Sequence, residues 1–142
     1  MRSLRPRAVV LSVLVPCALI AAGCGNNQTT TPTTPTTTTT VTETFSGTVT
    51  KNGAVTHTFT SGAAGTVQAT LTSLSPDASV PIGLSLGTWN GATCAIVLAN
   101  DKAIQASAVI GTVSAVGGLC VRLYDVGNLS DSASYEVLVT HP

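Results

Sequence analysis

The chain has 142 residues, of which 44% are hydrophobic and only 8% charged, and its six basic residues balance six acidic ones. This length suits a single folded domain. Three of the six basic residues fall within the first seven positions, so the rest of the chain has no basic surface of the kind that binds nucleic acid. No nucleic-acid partner is therefore expected.

The first 23 residues have the three-part pattern of a cleaved secretory signal. Arg2, Arg5 and Arg7 precede an uncharged apolar run over residues 8–20, and small residues occupy positions 21–23. The run is shorter than the roughly 20 residues that a membrane-spanning helix needs. An uncleaved anchor helix is the alternative, and Pro16 within the run argues against it.

The end of this signal is the sequence Ile20-Ala21-Ala22-Gly23-Cys24, which resembles the lipobox of bacterial lipoproteins. The resemblance implies cleavage before Cys24 and a diacylglyceryl lipid, of the palmitate type, on its thiol. The protein would then be a lipid-anchored component of the cell envelope, at the outer membrane or on the outer face of the cell membrane. An ordinary signal peptide that happens to have a cysteine near its cleavage site is the alternative.

Residues 24–44 have the composition of a disordered linker. After Gly25 and a short Asn/Gln stretch come threonines interrupted by Pro32 and Pro35, and hardly any of these side chains can bury apolar surface. The prolines favour extended, polyproline-like geometry. We expect a stalk that holds a domain away from the membrane, or a spacer without any further role. Cleavage would leave an exported chain with a net charge of −3.

Two of the four cysteines, Cys94 and Cys120, fall in the remaining domain. Export places them in an oxidising compartment, so we predict that they form a disulfide. A metal-binding pair or a reactive thiol is the alternative. Neither histidine lies near either cysteine in sequence, and two cysteines alone rarely hold a metal.

Residues 45–142 alternate between apolar and polar side chains in short runs, as strands do. Clusters of Gly, Pro, Asn and Asp separate the runs about every ten residues. The pattern predicts an all-β fold, a two-sheet antiparallel β-sandwich of jelly-roll-like form with about eight strands and one disulfide. Residues 103–108 could instead begin a helix. The expected strands are 45–50, 55–60, 66–73, 82–88, 94–99, 108–114, 119–126 and 135–141.

Six short motifs occur in order along this domain, at residues 45–49, 56–59, 65–71, 84–87, 118–125 and 135–139. Together they resemble the bacterial pre-peptidase C-terminal domain, a small β-sandwich of exported proteins. The resemblance implies a non-catalytic domain that binds extracellular polysaccharide or matrix protein, or assists the secretion or folding of a neighbouring peptidase. Some members of that family bind calcium. This chain carries no peptidase sequence of its own.

No set of residues in the sequence predicts catalysis. The chain has neither a Gly-x-Ser-x-Gly elbow nor a His-Glu-x-x-His motif. His57 lies between two threonines within a predicted strand, which indicates a surface histidine. His141 is the penultimate residue, so we expect it to fray. The protein is therefore predicted not to be an enzyme.

Two weaker site hypotheses concern metal and ligand binding. Asp125, Asn128 and Asp131 share one loop and offer oxygen ligands that suit Ca²⁺, although such residues are also ordinary turn formers. Trp89, the sole tryptophan, would stack on a sugar or anchor a protein partner, or else pack at the rim of the core. Tyr124 and Tyr135 fall on the last two strands, where structural packing is expected.

The sequence thus predicts an exported, membrane-anchored lipoprotein that displays a non-catalytic binding or accessory domain on a threonine-rich stalk. The alternative is a structural envelope lipoprotein that acts in an assembly without a small ligand. An exposed aromatic patch or an occupied metal site would favour the first, and a flat Ser/Thr surface with no concavity would favour the second.

Overall fold

The structure is a computed structural model that describes residues 38–142. Within this range none of the chain forms a helix that is long and apolar enough to cross a membrane. The predicted signal segment, Cys24 and the linker up to residue 37 lie outside the described residues. The described chain forms eight strands: β1 (Val41–Val49), β2 (Ala54–Ser61), β3 (Gly65–Ser75), β4 (Ile82–Trp89), β5 (Cys94–Ala103), β6 (Ala108–Val113), β7 (Gly117–Tyr124) and β8 (Ala133–His141).

The eight strands form two antiparallel sheets of four. The first sheet has the order β1-β8-β3-β6, and the second has the order β2-β7-β4-β5. The first strand of the chain pairs with the last, the second with the seventh, and so on to the central β4–β5 hairpin: β1·β8, β2·β7, β3·β6 and β4·β5. The chain therefore resembles one long two-stranded ribbon that is folded at this hairpin and wound into two sheets. This winding is a jelly roll, so the predicted two-sheet sandwich is confirmed.

The core lies between the two sheets and follows directly from the alternation in the sequence. Leu71 of β3 and Val137 of β8 project from the first sheet and are fully buried. Leu84 of β4 and Leu123 of β7 project from the second sheet and are fully buried too. The intervening residues of the strands face outwards, and on the edge strands β1 and β2 these are mostly threonines, which suit extended backbone.

Two boundaries differ from the sequence prediction. Strand β1 begins at Val41, so the last four residues of the predicted linker 24–44 belong to the sheet, where Val41 pairs with His141. Their composition resembles a linker, but strand pairing with β8 satisfies their backbone groups. Strand β5 continues to Ala103, and the next residues form a turn in which Ala106 has a φ of 71°. The helix suggested for residues 103–108 is therefore wrong.

The β4–β5 hairpin bends over the outer face of the second sheet. Gly87 of β4 faces outwards there, and a Cβ at this position would lie 2.8 Å from the carbonyl carbon of Ala95. The bend brings Cys94 of β5 next to Cys120 of β7, although β4 separates these two strands in the sheet. Their Cα atoms are 5.9 Å apart and their sulfurs are bonded. The predicted disulfide is confirmed, and it fixes the hairpin in its bent position.

Candidate binding site

An apolar cavity of about 330 Å³ opens between the two sheets at the end where the β4–β5 hairpin bends away. Because the hairpin lies on the outer side of its sheet, it leaves the inner side at this end uncovered. Leu86 and Leu98 line the cavity from the second sheet, and Val67 lines it from the first. Residues 111–118, which comprise the end of β6, its connection to β7 and the start of β7, close the far side. The volume falls within the usual range of ligand pockets, about 300–1,000 Å³.

Two valines extend the apolar surface of the cavity into solvent. Val97 of β5 is 68% exposed and Val116 of the β6–β7 connection is 66% exposed, and both belong to the cavity lining. None of the lining residues is charged. Exposed apolar patches around a groove are typical of interaction surfaces and of ligand-binding grooves. The polar groups that accompany them are hydroxyls, from Thr88, Thr112 and Ser114.

Trp89 lies on the other side of the second sheet from this cavity. It is half-buried at the end of β4, and its Cδ1 atom lies 3.7 Å from the position that a Cβ on Gly118 would take. The indole thus packs across β7 beside the disulfide, where it helps to hold the hairpin against the sheet. This position matches the rim-packing alternative, while contact of Trp89 with a ligand stays a prediction.

Asp125 organises the loop that joins β7 to β8. Its Oδ1 atom accepts hydrogen bonds from the backbone N–H groups of Gly127 and Asn128, at 2.8 and 2.9 Å, and from Leu129 at 3.1 Å. Its Oδ2 atom accepts one from the N–H of Asn52 at 2.8 Å. The Asn52 bond in the first place, and then the loop bonds, lower the pKa of the Asp125 carboxyl below its usual value.

The side chains of the other two residues of the proposed calcium loop, Asn128 and Asp131, do not point towards the Asp125 carboxylate. The Asn128 side-chain amide donates to the carbonyl of Pro81 at 3.0 Å, and Asp131 is exposed. Among residues 38–142, no group of three or more His, Cys, Asp or Glu side chains is arranged to hold a metal ion. Calcium binding by Asp125, Asn128 and Asp131 stays a prediction, and the observed role of the Asp125 oxygens is to accept backbone N–H groups.

His141 does not fray, so that expectation is wrong. Its side chain is only 3% exposed, and its Nε2 atom lies 3.0 Å from Oε1 of Glu43 in an ion-pair geometry. Its ring centroid lies 5.1 Å from that of Phe59. The histidine is ordered because β8 continues to this residue and pairs there with β1, which turns the ring into the gap between the sheets.

His57 is half-buried between the sheets, so the expectation of a surface histidine is wrong as well. Its ring stacks on Phe45 with centroids 4.9 Å apart, and its Nε2 atom lies 2.8 Å from the hydroxyl of Tyr135. Burial lowers the pKa of His57 below its ordinary value of 6.5. The sequence contained a signal for this position, because His57 is in phase with Val55 and Phe59 on the inner face of β2.

This burial predicts that acid weakens the fold through His57. A histidine whose pKa is lower in the folded than in the unfolded state adds stability above pH 6.5, and that contribution is lost as the pH falls from there through the folded-state pKa. We expect the free energy of unfolding to fall between pH 7 and pH 5. Urea unfolding at a series of pH values measures it.

The His57→Gln variant should show a smaller fall over the same pH interval, since it removes the titrating group. The matched variant His141→Gln should keep the fall due to His57. An unchanged pH slope in His57→Gln would contradict the assignment of the effect to this residue.

On the outer face of the second sheet, Tyr124 packs against two residues that the sequence did not single out, Gly83 and Asp101. The ring of Tyr124 lies flat on Gly83 of β4, in the space that a side chain at position 83 would need. Its hydroxyl reaches across β4 and donates to Asp101 of β5. Burial first, and the Asp101 carboxylate second, raise the pKa of Tyr124 to about 12. A glycine inside an apolar strand is the sequence signal for such a close approach.

No protein-family model matches this chain, and no curated protein is similar enough to it to count as a relative. The candidate binding site is therefore assigned from the geometry of this chain alone. Within the described residues, the ring nitrogens of the two histidines lie within hydrogen-bond distance of the Tyr135 hydroxyl, the Glu43 carboxylate and the Pro142 carbonyl, and of no serine or cysteine side chain.

Proposed function

We propose that the protein is an exported lipoprotein, anchored through Cys24, whose β-sandwich is a non-catalytic domain that binds an extracellular protein. The apolar cavity at the open end of the sandwich carries this proposal. The lipobox-like sequence and the threonine-rich segment that follows it support display outside the cytoplasm. The resemblance of residues 45–142 to the pre-peptidase C-terminal domain supports a binding role, with matrix protein as the class of partner.

The form of the site favours a protein over a small polar ligand. The cavity lining has no charged residue. The exposed valines at its rim extend the apolar surface beyond the cavity, so that a partner could contact both. Beside it, β5 is an edge strand of the second sheet, so one side of its backbone is not paired within the sheet. An extended segment of a partner would lie along this edge and insert an apolar side chain into the cavity.

Strand β5 also limits how such a segment pairs. Leu98 of β5 pairs with Leu86 of β4, and Ile96 pairs with the next residue of β4, Gly87. Val97 has no partner on β4 and forms a β-bulge. Bulges on edge strands oppose continuous pairing with another chain. The cavity would therefore provide most of the affinity and the edge backbone only part of it.

A charge at the cavity rim tests the proposal. The Val116→Lys and Val97→Lys variants place an ammonium group at exposed positions, where the fold tolerates it. We expect each to weaken binding of the full chain to immobilised collagen, used as a matrix-protein probe, by about tenfold or more, because the charge would have to be desolvated. Surface plasmon resonance gives the two dissociation constants.

Val41→Lys is the matched control, since Val41 is also partly exposed but lies on β1, away from the cavity. It should bind as the unchanged chain does. Equal binding by all three lysine variants would remove the cavity as the site. Failure of the unchanged chain to bind any matrix protein would favour the alternative, a structural envelope lipoprotein that acts within an assembly.

A further inference from the structure

A second surface with distinct chemistry lies on the outer face of the second sheet. Arg122 projects from β7, one of the two central strands, and its register partners are Thr56 of β2 and Ser85 of β4. It is the only arginine in residues 38–142. Arg122 is half-buried, whereas Lys51 and Lys102 are exposed. This surface lies on the opposite side of the sheet from the apolar cavity.

The guanidinium of Arg122 has no protein partner among the described residues. The only ion pair of residues 38–142 joins His141 and Glu43. No buried side-chain nitrogen or oxygen in this part of the chain lacks a hydrogen-bond partner, so the unpaired guanidinium must open to solvent. A guanidinium offers five N–H donors in a planar fork that matches a carboxylate. Within residues 38–142, therefore, no protein group uses the donors of Arg122, and a ligand could pair with them.

Neighbouring residues fix the position of this guanidinium. Its Cζ atom lies 5.9 Å from the ring centroid of Tyr124, within the range of a cation–π interaction. The Tyr124 ring is itself held between Gly83 beneath it and Asp101, which accepts its hydroxyl hydrogen bond. The Asp101 carboxylate is thus engaged by Tyr124 and forms no ion pair with Arg122. The Arg122 backbone carbonyl accepts the Ser85 hydroxyl at 3.2 Å.

The surroundings of Arg122 suit a sugar chain better than a peptide. Strand β7 has partners on both sides, so a peptide cannot add to it through backbone hydrogen bonds. Neither Arg122 nor Tyr124 lines the apolar cavity between the sheets, so this face is separate from the site proposed for a protein partner. What it offers is an aromatic ring and the exposed hydroxyls of Thr56 and Thr58, which suit the faces and hydroxyls of sugars.

We propose that Arg122 and Tyr124 form a binding site for a carboxylated polysaccharide, such as one built from uronic acids. Arg122 would pair with a carboxylate in the bidentate manner, and the adjoining Tyr124 and threonines would contact the sugar rings. The exported chain carries a net charge of −3, so attraction is local to Arg122 and not a property of the whole protein. Binding should accordingly weaken as ionic strength rises.

Calorimetric titration of the full chain in detergent with oligogalacturonate tests this site. We expect saturable binding that the Arg122→Gln variant weakens by about tenfold or more, the loss expected for one charge-assisted pair. Arg122→Lys should recover only part of the affinity, because it keeps the charge and lacks the fork. Lys102→Gln removes an exposed cation elsewhere on the sheet and should leave the affinity unchanged.

Two probes decide between the sources of the carboxylate. Methyl-esterified oligogalacturonate should bind at least about tenfold more weakly than the free acid, since it lacks the group that Arg122 recognises. Equal binding of the ester, or full affinity in Arg122→Gln with unchanged Trp89 emission, would overturn the proposal. Binding of poly-glutamate as tightly as oligogalacturonate would overturn the assignment to a polysaccharide.

The Val116→Lys variant should bind oligogalacturonate normally, which separates this site from the proposed protein-binding cavity.

Discussion

Replacing Cys94 and Cys120 together by alanine is expected to lower the free energy of unfolding by about 3 kcal/mol. The disulfide closes a loop with a sequence separation of 26 residues, and the loss of that constraint enlarges the unfolded ensemble. For a domain of this size the loss corresponds to a fall in the melting temperature of roughly 10–20 °C. Urea unfolding, followed by the emission of Trp89, measures the free energy directly.

The folded state should change as well, because the disulfide holds the bent hairpin against β7. Release of the hairpin would expose Trp89, which packs over Gly118 beside the bond, and shift its emission to longer wavelength. The reduced, unchanged chain is the matched control and should reproduce the double variant. A variant that unfolds within about 0.5 kcal/mol of the oxidised chain would contradict both the loop-entropy account and the role of the bond as a clamp.

The sandwich could be predicted because it depends on short-range periodicity. Runs such as residues 67–71 and 119–123 alternate strictly, and burial on one face follows from that alternation. The pairing of β1 with β8 could not be predicted in the same way, because it depends on contacts across almost the whole described chain. Composition also misled at Val41–Thr44, where a threonine-rich stretch suits a strand as well as it suits a linker.

Both candidate sites lay beyond what the sequence could predict, for a similar reason. The cavity exists because the β4–β5 hairpin bends outwards, and its lining comes from six different strands. The position of Arg122 beside the Tyr124 ring depends on a glycine of another strand. Gly83 and Gly87 were signals of close approach, but a sequence does not say which group approaches. The two histidines were misjudged because neighbouring threonines and a chain end are weaker indicators than inner-face periodicity.

Replacing Phe59 by alanine is expected to cost about 3–5 kcal/mol of unfolding free energy, a large share of the total of about 5–15 kcal/mol for a typical domain. Phe59 is only 6% exposed and supports two features at once. Its ring centroid lies 5.1 Å from that of His141 and 6.4 Å from that of Phe45, and its side chain also lines the apolar cavity. Removal of the Phe59 ring would therefore leave an empty space beside His141 that is continuous with the apolar cavity.

The matched variant Phe59→Leu keeps most of the buried volume and should cost less than about 1.5 kcal/mol. Urea unfolding of both variants and of the unchanged chain, all at pH 7, measures the two losses. A loss below about 1 kcal/mol in Phe59→Ala would mean that the surrounding side chains collapse into the space, since a large aromatic truncation otherwise leaves a costly void. In that case the cavity would not keep its shape without a ligand, and a partner would have to form the site as it binds.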